Sequence, residues 1–414
     1  MNTPHYINSM FKAYKFRMYP SHDQKIFLNN HFGACRFVYN HFLDLRNKKY
    51  TQTGKGMSYY DMSSYLTQIK RSGEYPWLNG IIAQSLQQSI MHLDTAFKRF
   101  FKHQASYPNF KSRRNAQSFQ IPQYFSVNDN HIMIPKLNTP IRIFMHRSIE
   151  GEIQSLTISK NPSGKYYVSV LVETAKEEPE AEPINNETAT GIDLGLKAFI
   201  TTSDRKQIKN PKNLIHSEKK LKKRQRQLSK KEKGSKNSNK ARIKVARIHE
   251  HIANQRRDFH HKVSCNLTDR YNTIVMEDLN IDGMNKNHRL AKSIGDAGWS
   301  SFITMLKAKA LQKGKNVIEI GTFEPSSKMC SNCGNIKHDL KLSDRIYHCE
   351  ICNHTMDRDL NAAINIKRFG MIRSEIPTDS GELTPVDRSM DTLIFLAREG
   401  IGQVHWLKQE DHAL

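Results

Sequence analysis

The chain has 414 residues, which at about 150 residues per domain predicts two to four compact units and excludes one small binding module. Lysine and arginine number 64 against 40 acidic residues, and the net charge of +24 predicts a polyanionic partner. No apolar run approaches the roughly 18 residues that span a bilayer, and the first residues lack the apolar segment of a secretory signal. We therefore expect a cytosolic protein without a membrane partner.

The first residues predict a strand followed by a long helix. Residues 11–19 alternate apolar and basic side chains, the pattern of a half-buried strand with a basic outer face, and Pro20 ends it. Ser21 and Gln24 then resemble a capping box, in which two polar side chains satisfy the free N–H groups at a helix start. Apolar residues continue at helical intervals, and we expect an interruption of this helix at Gly33.

The rest of the first half predicts a helical block beside a small β unit. A second helix is expected over about 83–103, where apolar residues form one stripe, and residues 131–174 predict strands separated by turn signals. Residues 175–190 are acidic, contain proline and show no periodicity, so they predict a linker and a domain boundary. Two strands in hairpin relation are expected directly after it, over 191–204.

Much of the positive charge is concentrated in one segment. Residues 219–262 contain 17 lysines or arginines against three acidic residues. A loop at 234–239 divides the segment, and apolar residues recur at helical spacing, which predicts a helical hairpin with an apolar seam and a basic outside. The seam residues are Leu221, Leu228, Val245, Ile248, Ile252, Phe259 and Val263. The basic outside is either a nucleic-acid-binding surface or a solvated helical face.

The last third of the chain alternates strands and helices. Apolar runs at 273–277 and 316–320 predict buried strands, with a helix over about 299–313 between them. Another helix is expected from about residue 359, and the pattern dissolves after 371.

Four of the six cysteines predict a metal site. Cys330 and Cys333 form one CxxC pair, Cys349 and Cys352 form a second, and 15 residues separate the pairs, a spacing typical of zinc sites. Because four thiolates leave no open coordination position, this zinc is expected to be structural and not catalytic.

The sequence also allows two alternatives to this zinc site. The first alternative is a redox function for the CxxC pairs, although two pairs are more than such chemistry needs. A nearby histidine could also replace one cysteine, and the candidates are His338, His348 and His354. The other two cysteines, Cys35 and Cys265, are predicted to be buried fillers in apolar helical settings.

Three carboxylates lie at the ends of apolar elements. Asp193 lies within GIDLG, a strand whose other residues are apolar or glycine, Glu277 closes another apolar strand, and Asp359 lies at the start of the last predicted helix. Because isolated burial of a charge is costly, such acids must be paired, protonated or bound to metal, and together they could hold divalent ions through oxygen ligands. The alternative is that each caps a helix or forms an ion pair. Asp278 and Asp357 are competing neighbours.

Several motifs occur in one order: GIDLG, the basic hairpin, VMEDLNIDGM, EPSSKMCSNCG and DRDLNAAINI. Over about residues 12–370 the chain closely resembles TnpB (OrfB), the transposon-associated RNA-guided DNA endonucleases related to type V CRISPR effectors. Near the N-terminus, AYKFRMYPSHDQ, HFGACRFVYN and YPNFKSRRNAQSF are also similar to that family. The C-terminal tail retains only a loose likeness.

The resemblance implies an α/β plus β fold class. It implies a RuvC-like nuclease domain of RNase H fold with an inserted zinc ribbon, preceded by a wedge β-barrel that carries a helical recognition domain. The implied division is a first wedge strand at 1–20, the recognition domain at 21–125, the remaining wedge barrel at 126–174, the linker at 175–190, the nuclease at 191–323 with its basic hairpin at 216–270, the zinc ribbon at 324–356, the last nuclease helix at 357–370 and a disordered tail at 371–414.

The resemblance also implies site residues and partners. Asp193, Glu277 and Asp359 match the family's catalytic acids, which would hold two Mg²⁺ ions for phosphodiester hydrolysis, beside one structural Zn²⁺. A guide RNA would read target double-stranded DNA in the prokaryotic cytosol, and the protein would read a short flanking motif. Basic residues proposed to contact phosphates are Lys222, Lys223, Arg224, Arg226, Lys240, Arg242, Lys244 and Arg247.

Two other functions are open from sequence. One is a transposase that joins DNA ends, because the same fold and acids serve strand transfer in other enzymes. The other is a non-catalytic regulator that binds nucleic acid, which the three intact acids oppose. A long RNA that copurifies with the protein would favour the guided nuclease. The oligomeric state cannot be read from the chain.

Overall fold

The computed structural model describes residues 9–114, 116–177, 179–321, 324–341 and 343–375. The chain divides into two compact units. The first takes the chain through Glu177 together with Leu228–Arg247, and the second takes Glu178–Gln227 and the chain from Ile248 onward. Among the described residues, no helix is both long enough and apolar enough to cross a membrane.

The first unit contains a seven-stranded antiparallel sheet in the order β2-β6-β7-β1-β5-β4-β3. Its strands are β1 (Ser9–Tyr19), β2 (Gln117–Ile121), β3 (Ser126–Asn128), β4 (His131–Met133), β5 (Ile141–Phe144), β6 (Glu152–Lys160) and β7 (Tyr166–Glu177). The alternation predicted for β1 is confirmed, because Tyr14, Phe16 and Met18 are buried. These side chains belong to one core with apolar residues of the helices.

Two strand positions differ from the prediction. β7 continues to Glu177, into the predicted linker, because β1 supplies backbone partners as far as the pair Ser9 and Glu177. β2 lies inside the range 21–125 predicted as helical, and it joins the sheet by pairing with β6. Phe119 and Ile121, two positions apart, are both buried, which is the alternation of a strand. The pattern is short and follows a basic loop, so it did not predict a strand.

The helices of the first unit are α1 (His22–Thr53), α2 (Tyr59–Ser72), a 3₁₀ turn (Pro76–Gly80) and α3 (Ala83–Phe101). The capping box of Ser21 and Gln24 at the start of α1 is confirmed. The predicted interruption at Gly33 is wrong, since α1 passes through it without a break. A glycine inside a helix costs about 1 kcal/mol relative to alanine, and burial of neighbours such as Leu28 and Phe32 outweighs that cost.

The second unit is built on a five-stranded sheet in the order β10-β9-β8-β11-β12. Its strands are β8 (Ala189–Leu194), β9 (Ala198–Thr202), β10 (Gln207–Lys209), β11 (Thr273–Glu277) and β12 (Asn316–Ile320). β8, β9 and β10 pair antiparallel, whereas β11 is parallel to both β8 and β12. A separate two-stranded ribbon pairs β13 (Ile346–His348) with β14 (Thr355–Asp357).

Helices cover both faces of this sheet. The helices from residue 213 onward are α4 (Asn213–Ser229), α5 (Lys236–Arg270), α6 (Ile281–Met284), α7 (Ala291–Ala297), α8 (Trp299–Gln312) and α9 (Arg358–Glu375), and α8 and α9 each pack on this sheet. On one face, Ile274 and Met276 pack with residues of α5 and α8. On the other face, Val275 packs with Ile366 and Phe369 of α9.

The strands predicted at 273–277 and 316–320 are confirmed to the residue. The last helix was predicted to end at 370, but α9 continues to Glu375 because Ile372 still packs against the core beneath it. The rest of the predicted disordered tail lies outside the described residues.

Candidate functional site

Asp193 and Glu277 stand side by side on neighbouring parallel strands. The ladder between β8 and β11 pairs Ile192 with Met276, so one further step sets Asp193 beside Glu277. Side chains alternate along a strand, and both carboxylates therefore leave the sheet on the face opposite to Ile192 and Met276. That is the face on which α9 packs.

A close approach of α9 to β8 brings the third carboxylate to the same place. A Cβ added at Gly191 would lie only 2.1 Å from the carbonyl oxygen of Ala363, so glycine is what allows the helix to come so near. Asp193 lies two residues after Gly191 along the strand. Asp359 lies about one helical turn before Ala363, in the first turn of α9. The contact thus places the first turn of α9 at the end of β8 that carries Asp193.

The electrostatics of Asp193 reflect this convergence. Burial is the largest effect on its pKa and, together with the carboxylates of Glu277 and Asp359, raises it to about 8, against the opposing charge of Arg358. Burial also raises the pKa of Glu277, while a hydrogen bond from Ser326 acts in the other direction. Two carboxylates with raised pKa values, Asp193 and Glu277, form a site that a cation stabilises.

The two competing acids have other contacts. The carboxylate of Asp357 accepts hydrogen bonds from the backbone N–H groups of Asp359 at 3.0 Å and Leu360 at 3.1 Å, so it caps α9. Asp278 is exposed, and its backbone N–H donates to the carbonyl of Ile320 at 3.1 Å. The carboxylates of Asp359 and Asp357 both raise the pKa of Asp193, and Asp359 has the larger effect.

Further polar residues lie near Glu277, and the sequence did not predict them. The hydroxyl of Ser326 donates to the Glu277 carboxylate. Glu324 lies nearby with a side chain only 5 % exposed, and burial raises its pKa. Asn365 of α9 is fully buried and donates to the carbonyl of Ser326 at 2.8 Å. The one signal in the sequence was Asn365, a polar residue on the side of α9 that also carries apolar residues such as Ala362 and Ile366.

The four predicted cysteines come together. Their sulfur atoms all lie within 4.8 Å of one another, with 3.7 Å between Cys330 and Cys352 and 3.5 Å between Cys333 and Cys349. A tetrahedral zinc with Zn–S bonds of about 2.3 Å spaces its sulfurs by roughly 3.8 Å, so the donor set fits. Gly334 follows the first pair with a φ of 74° and supplies the left-handed turn that aims it.

The set contains no histidine, and Nδ1 of His348 is instead hydrogen-bonded to the hydroxyl of Thr355 at 2.8 Å. Within the described part of the chain, this cysteine set is the one group of three or more potential metal ligands that the structure brings together.

The helical hairpin has the predicted amphipathic character. Leu221, Ile248, Ile252 and Val263 of the seam are buried, whereas Leu228, Val245 and Phe259 are half-buried. Of the eight basic residues proposed to contact phosphates, all are exposed except Arg224, which is half-buried.

Several of these basic residues have partners within the protein. Lys222 forms an ion pair with Glu218 at 2.7 Å, Arg224 donates to the side chain of Gln227 at 2.9 Å, and Arg242 donates to the carbonyl of Pro162 at 3.5 Å.

The prediction for the remaining cysteines is half right. Cys35 is buried, but Cys265 is exposed, and Nζ of Lys309 contacts its sulfur at 2.8 Å. Cys265 lies two residues after the seam residue Val263, which is about 200° around the helix and therefore points away from the apolar side.

Comparison with protein families gives three matches. A model described as "Probable transposase" (OrfB_IS605) matches residues 169–288, and a model described as "Cas12f1-like, TNB domain" matches residues 299–366, which contain the four cysteines. A model described as "Helix-turn-helix domain" matches residues 10–55. In this structure that last segment forms β1 and the single long helix α1.

Relatives match along most of the chain. A "Putative RNA-guided DNA endonuclease" of Streptomyces pristinaespiralis is 36% identical over 367 residues, covering 88% of this chain and 90% of its own. The protein InsQ of Escherichia coli K12, which carries the same description, is 32% identical over 376 residues, covering 87% and 92%. "TnpB-like protein L79" of Acanthamoeba polyphaga mimivirus is 25% identical over 384 residues, covering 86% and 73%.

Among solved structures, the Cas12f1 protein in a complex with sgRNA and target DNA matches with a TM-score of 0.52. The match has 16% sequence identity and covers 87% of this chain and 99% of that one. The likeness shows a shared fold.

Proposed function

This chain belongs to the TnpB (OrfB) family, and we propose that it is a transposon-encoded, RNA-guided endonuclease that cuts double-stranded DNA next to a short flanking motif. The observation that carries the proposal is the convergence of Asp193, Glu277 and Asp359 at one end of the second unit's sheet. Relatives whose names describe RNA-guided DNA endonucleases support it along almost the whole chain.

The proposed architecture assigns a role to each unit. The five-stranded sheet, with an antiparallel hairpin followed by parallel strands, would be the RuvC-like domain of RNase H fold. The segment with the four cysteines would be its zinc ribbon insert. In the first unit, the seven-stranded sheet would be the wedge β-barrel, and α1, α2 and α3 would form the helical recognition domain.

The three carboxylates would hold two Mg²⁺ ions. The residues fit this group, because carboxylate oxygens are the ligands that Mg²⁺ prefers and because Glu277 and Asp359 lie close enough to Asp193 to raise its pKa. When bound, the ions would supply an activated water and neutralise charge at the phosphorus. Asp193 and Glu277 would hold them from the sheet, and Asp359 from α9, whose N-terminus Asp357 keeps capped.

The four cysteines would hold one Zn²⁺, which would stabilise a segment with little core of its own. Tyr347, Cys330 and Cys349 are the buried members of its hydrophobic cluster, and so small a cluster gives too little apolar burial for independent folding. The bound zinc would contribute folding free energy and no open coordination position.

Sequence recognition would be delegated to the guide RNA. Base pairing reads the target, so the protein needs only to hold backbones and to read the flanking motif. The basic residues of α4 and α5 suit the first task, because exposed lysines and arginines neutralise phosphates without reading bases.

A strand-transfer transposase is the second candidate, favoured by the description of the family model that matches residues 169–288. Cleavage products distinguish the two functions. The full-length protein is purified with the RNA that copurifies with it, and it is mixed with a plasmid library that carries a target matched to that RNA beside random flanking sequence. We expect RNA-dependent linear plasmids with a shared flanking motif, and none from Asp193→Ala. Joined DNA ends without RNA would contradict the proposal and support the transposase.

A further inference from the structure

A short segment, residues 324–331, leads from the end of β12 toward the four cysteines, and we call it the strap. Part of its backbone is fixed by one side chain of α9. Asn365 donates from Nδ2 to the carbonyls of Ser326 at 2.8 Å and of Met329 at 2.6 Å. Asn365 is fully buried, and these hydrogen bonds satisfy its Nδ2, whose desolvation would otherwise be costly, while its Oδ1 accepts none from the described residues.

Two further residues on the same face of α9 fix the far end of the strap. Asn361, also fully buried, donates to the carbonyl of Met329 at 2.7 Å and accepts from the N–H of Ser331 at 2.9 Å. Arg368 donates to the carbonyl of Ser331 at 2.7 Å. Because Cys330 lies between Met329 and Ser331, these bonds tie α9 to the first member of the cysteine cluster.

The other end of the strap reaches the carboxylates. The hydroxyl of Ser326 donates to Oε1 of Glu277, and Ser326 is only 5 % exposed. A carboxylate at the end of a strand can rotate about its side-chain bonds, and a donor fixed to one oxygen limits that rotation. The backbone of Ser326 is also held in place, because Asn365 donates a hydrogen bond to its carbonyl.

We propose that Ser326 is a positioning residue for Glu277, which it holds in the orientation that ligates a metal ion. Through the strap, this orientation depends on α9 and on the backbone around Cys330. The inference rests on the metal-binding role proposed above for Glu277.

The test compares three strap variants of the full-length protein. Ser326→Ala removes the donor, and Ser326→Thr restores a hydroxyl at the same position. Ser327→Ala is the matched control, because it is the same substitution at the next residue, which is half-buried. Mn²⁺ affinity of the RNA-free protein is measured by electron paramagnetic resonance, cleavage is measured against Mg²⁺ concentration, and thermal unfolding is recorded for each variant.

We expect Ser326→Ala to weaken Mn²⁺ binding and to raise the Mg²⁺ concentration for half-maximal cleavage, each by roughly 10- to 100-fold, as is typical when a metal ligand loses its supporting hydrogen bond. Its unfolding temperature should match that of Ser327→Ala, and Ser326→Thr should restore most of the affinity. Unchanged Mn²⁺ and Mg²⁺ dependence in Ser326→Ala would overturn the inference, and so would an equal effect of Ser327→Ala.

Glu277→Gln separates this inference from the proposed function. If the unaltered protein has a Mn²⁺ site that Glu277→Gln abolishes and Ser326→Ala leaves intact, the metal role stands and the positioning role fails. If Glu277→Gln does not change Mn²⁺ binding, both fail.

Discussion

Gly191 and Ala363 approach so closely that a Cβ on the glycine would lie 2.1 Å from the carbonyl oxygen of the alanine. This contact joins β8, which carries Asp193, to α9, which carries Asp359. Separation of the helix from the strand would separate the two acids. The backbone contact is therefore as important to the site as the carboxylates themselves.

Gly191→Ala should push α9 away from β8. Overpacking of this kind typically destabilises by about 1–3 kcal/mol, and displacement of Asp359 should reduce cleavage by more than that loss explains. Denaturant unfolding and cleavage rates of the same preparations measure the two effects. Gly33→Ala is the control, because nothing lies within 4 Å of a Cβ there and α1 is continuous, so it should be neutral or slightly stabilising. Full activity of Gly191→Ala would show that the approach is not needed.

Stability of the metal-free protein should depend on pH through Asp193. Its folded pKa of about 8 lies above the ordinary value of 3.8, so the folded state binds the proton more tightly and loses stability as pH rises from about 4 to 8. Compared with Asp193→Asn, the unaltered protein should therefore become relatively less stable over this range in the presence of EDTA. Added Mg²⁺ should reduce the difference. If the difference in stability between the unaltered protein and Asp193→Asn is the same at pH 5 and at pH 8, the pKa of Asp193 is not raised in the folded protein.

The cysteine cluster should bind one zinc per chain. Cys330→Ser or Cys349→Ser should lower stability or soluble yield before it affects chemistry, because a closed thiolate site contributes on the order of 10 kcal/mol in small zinc segments. Metal analysis of the purified protein gives the stoichiometry. Cys265→Ser is the matched control, since that cysteine is exposed and outside the cluster. Soluble, active protein without zinc would refute the assignment.

The basic residues of α5 should contribute salt-dependent affinity without sequence preference. Replacement of Lys240, Arg242, Lys244 and Arg247 by glutamine should reduce the magnitude of the slope of log affinity against log salt by up to roughly three. Each phosphate contact releases counterions from the nucleic acid, and fewer contacts therefore release fewer of them. Titrations with two guide sequences check that the loss is the same for both. A changed flanking motif with an unchanged slope would instead identify these residues as base readers.

The sequence was most informative where a local pattern determines the structure. The apolar runs at 273–277 and 316–320, the capping box of Ser21 and the CxxC spacing each need only a few neighbouring residues to be recognised. The contact between Ser326 and Glu277 joins residues 49 positions apart in sequence and has no periodic signature. It could not be predicted without the fold.

The errors have related causes. Gly33 looked like a break because its intrinsic helix propensity is poor, but burial of its neighbours outweighs propensity. The acidic end of β7 looked like a linker because composition does not show that β1 supplies backbone partners. Cys265 looked buried because it is close to the seam in sequence, although it lies on the opposite side of the helix.

The most direct test of the proposed nuclease uses one carboxylate at a time. Asp193→Ala, Glu277→Ala and Asp359→Ala should each abolish cleavage of a matched plasmid, while the affinity of the RNA-loaded protein for the same target stays nearly unchanged, because metal ligation and nucleic-acid capture use different residues. Asp357→Ala should keep cutting and lose only about 1 kcal/mol of stability, because its carboxylate caps α9. Substantial cutting by Asp359→Ala, with none by Asp357→Ala, would contradict the assignment and move the third ligand to Asp357.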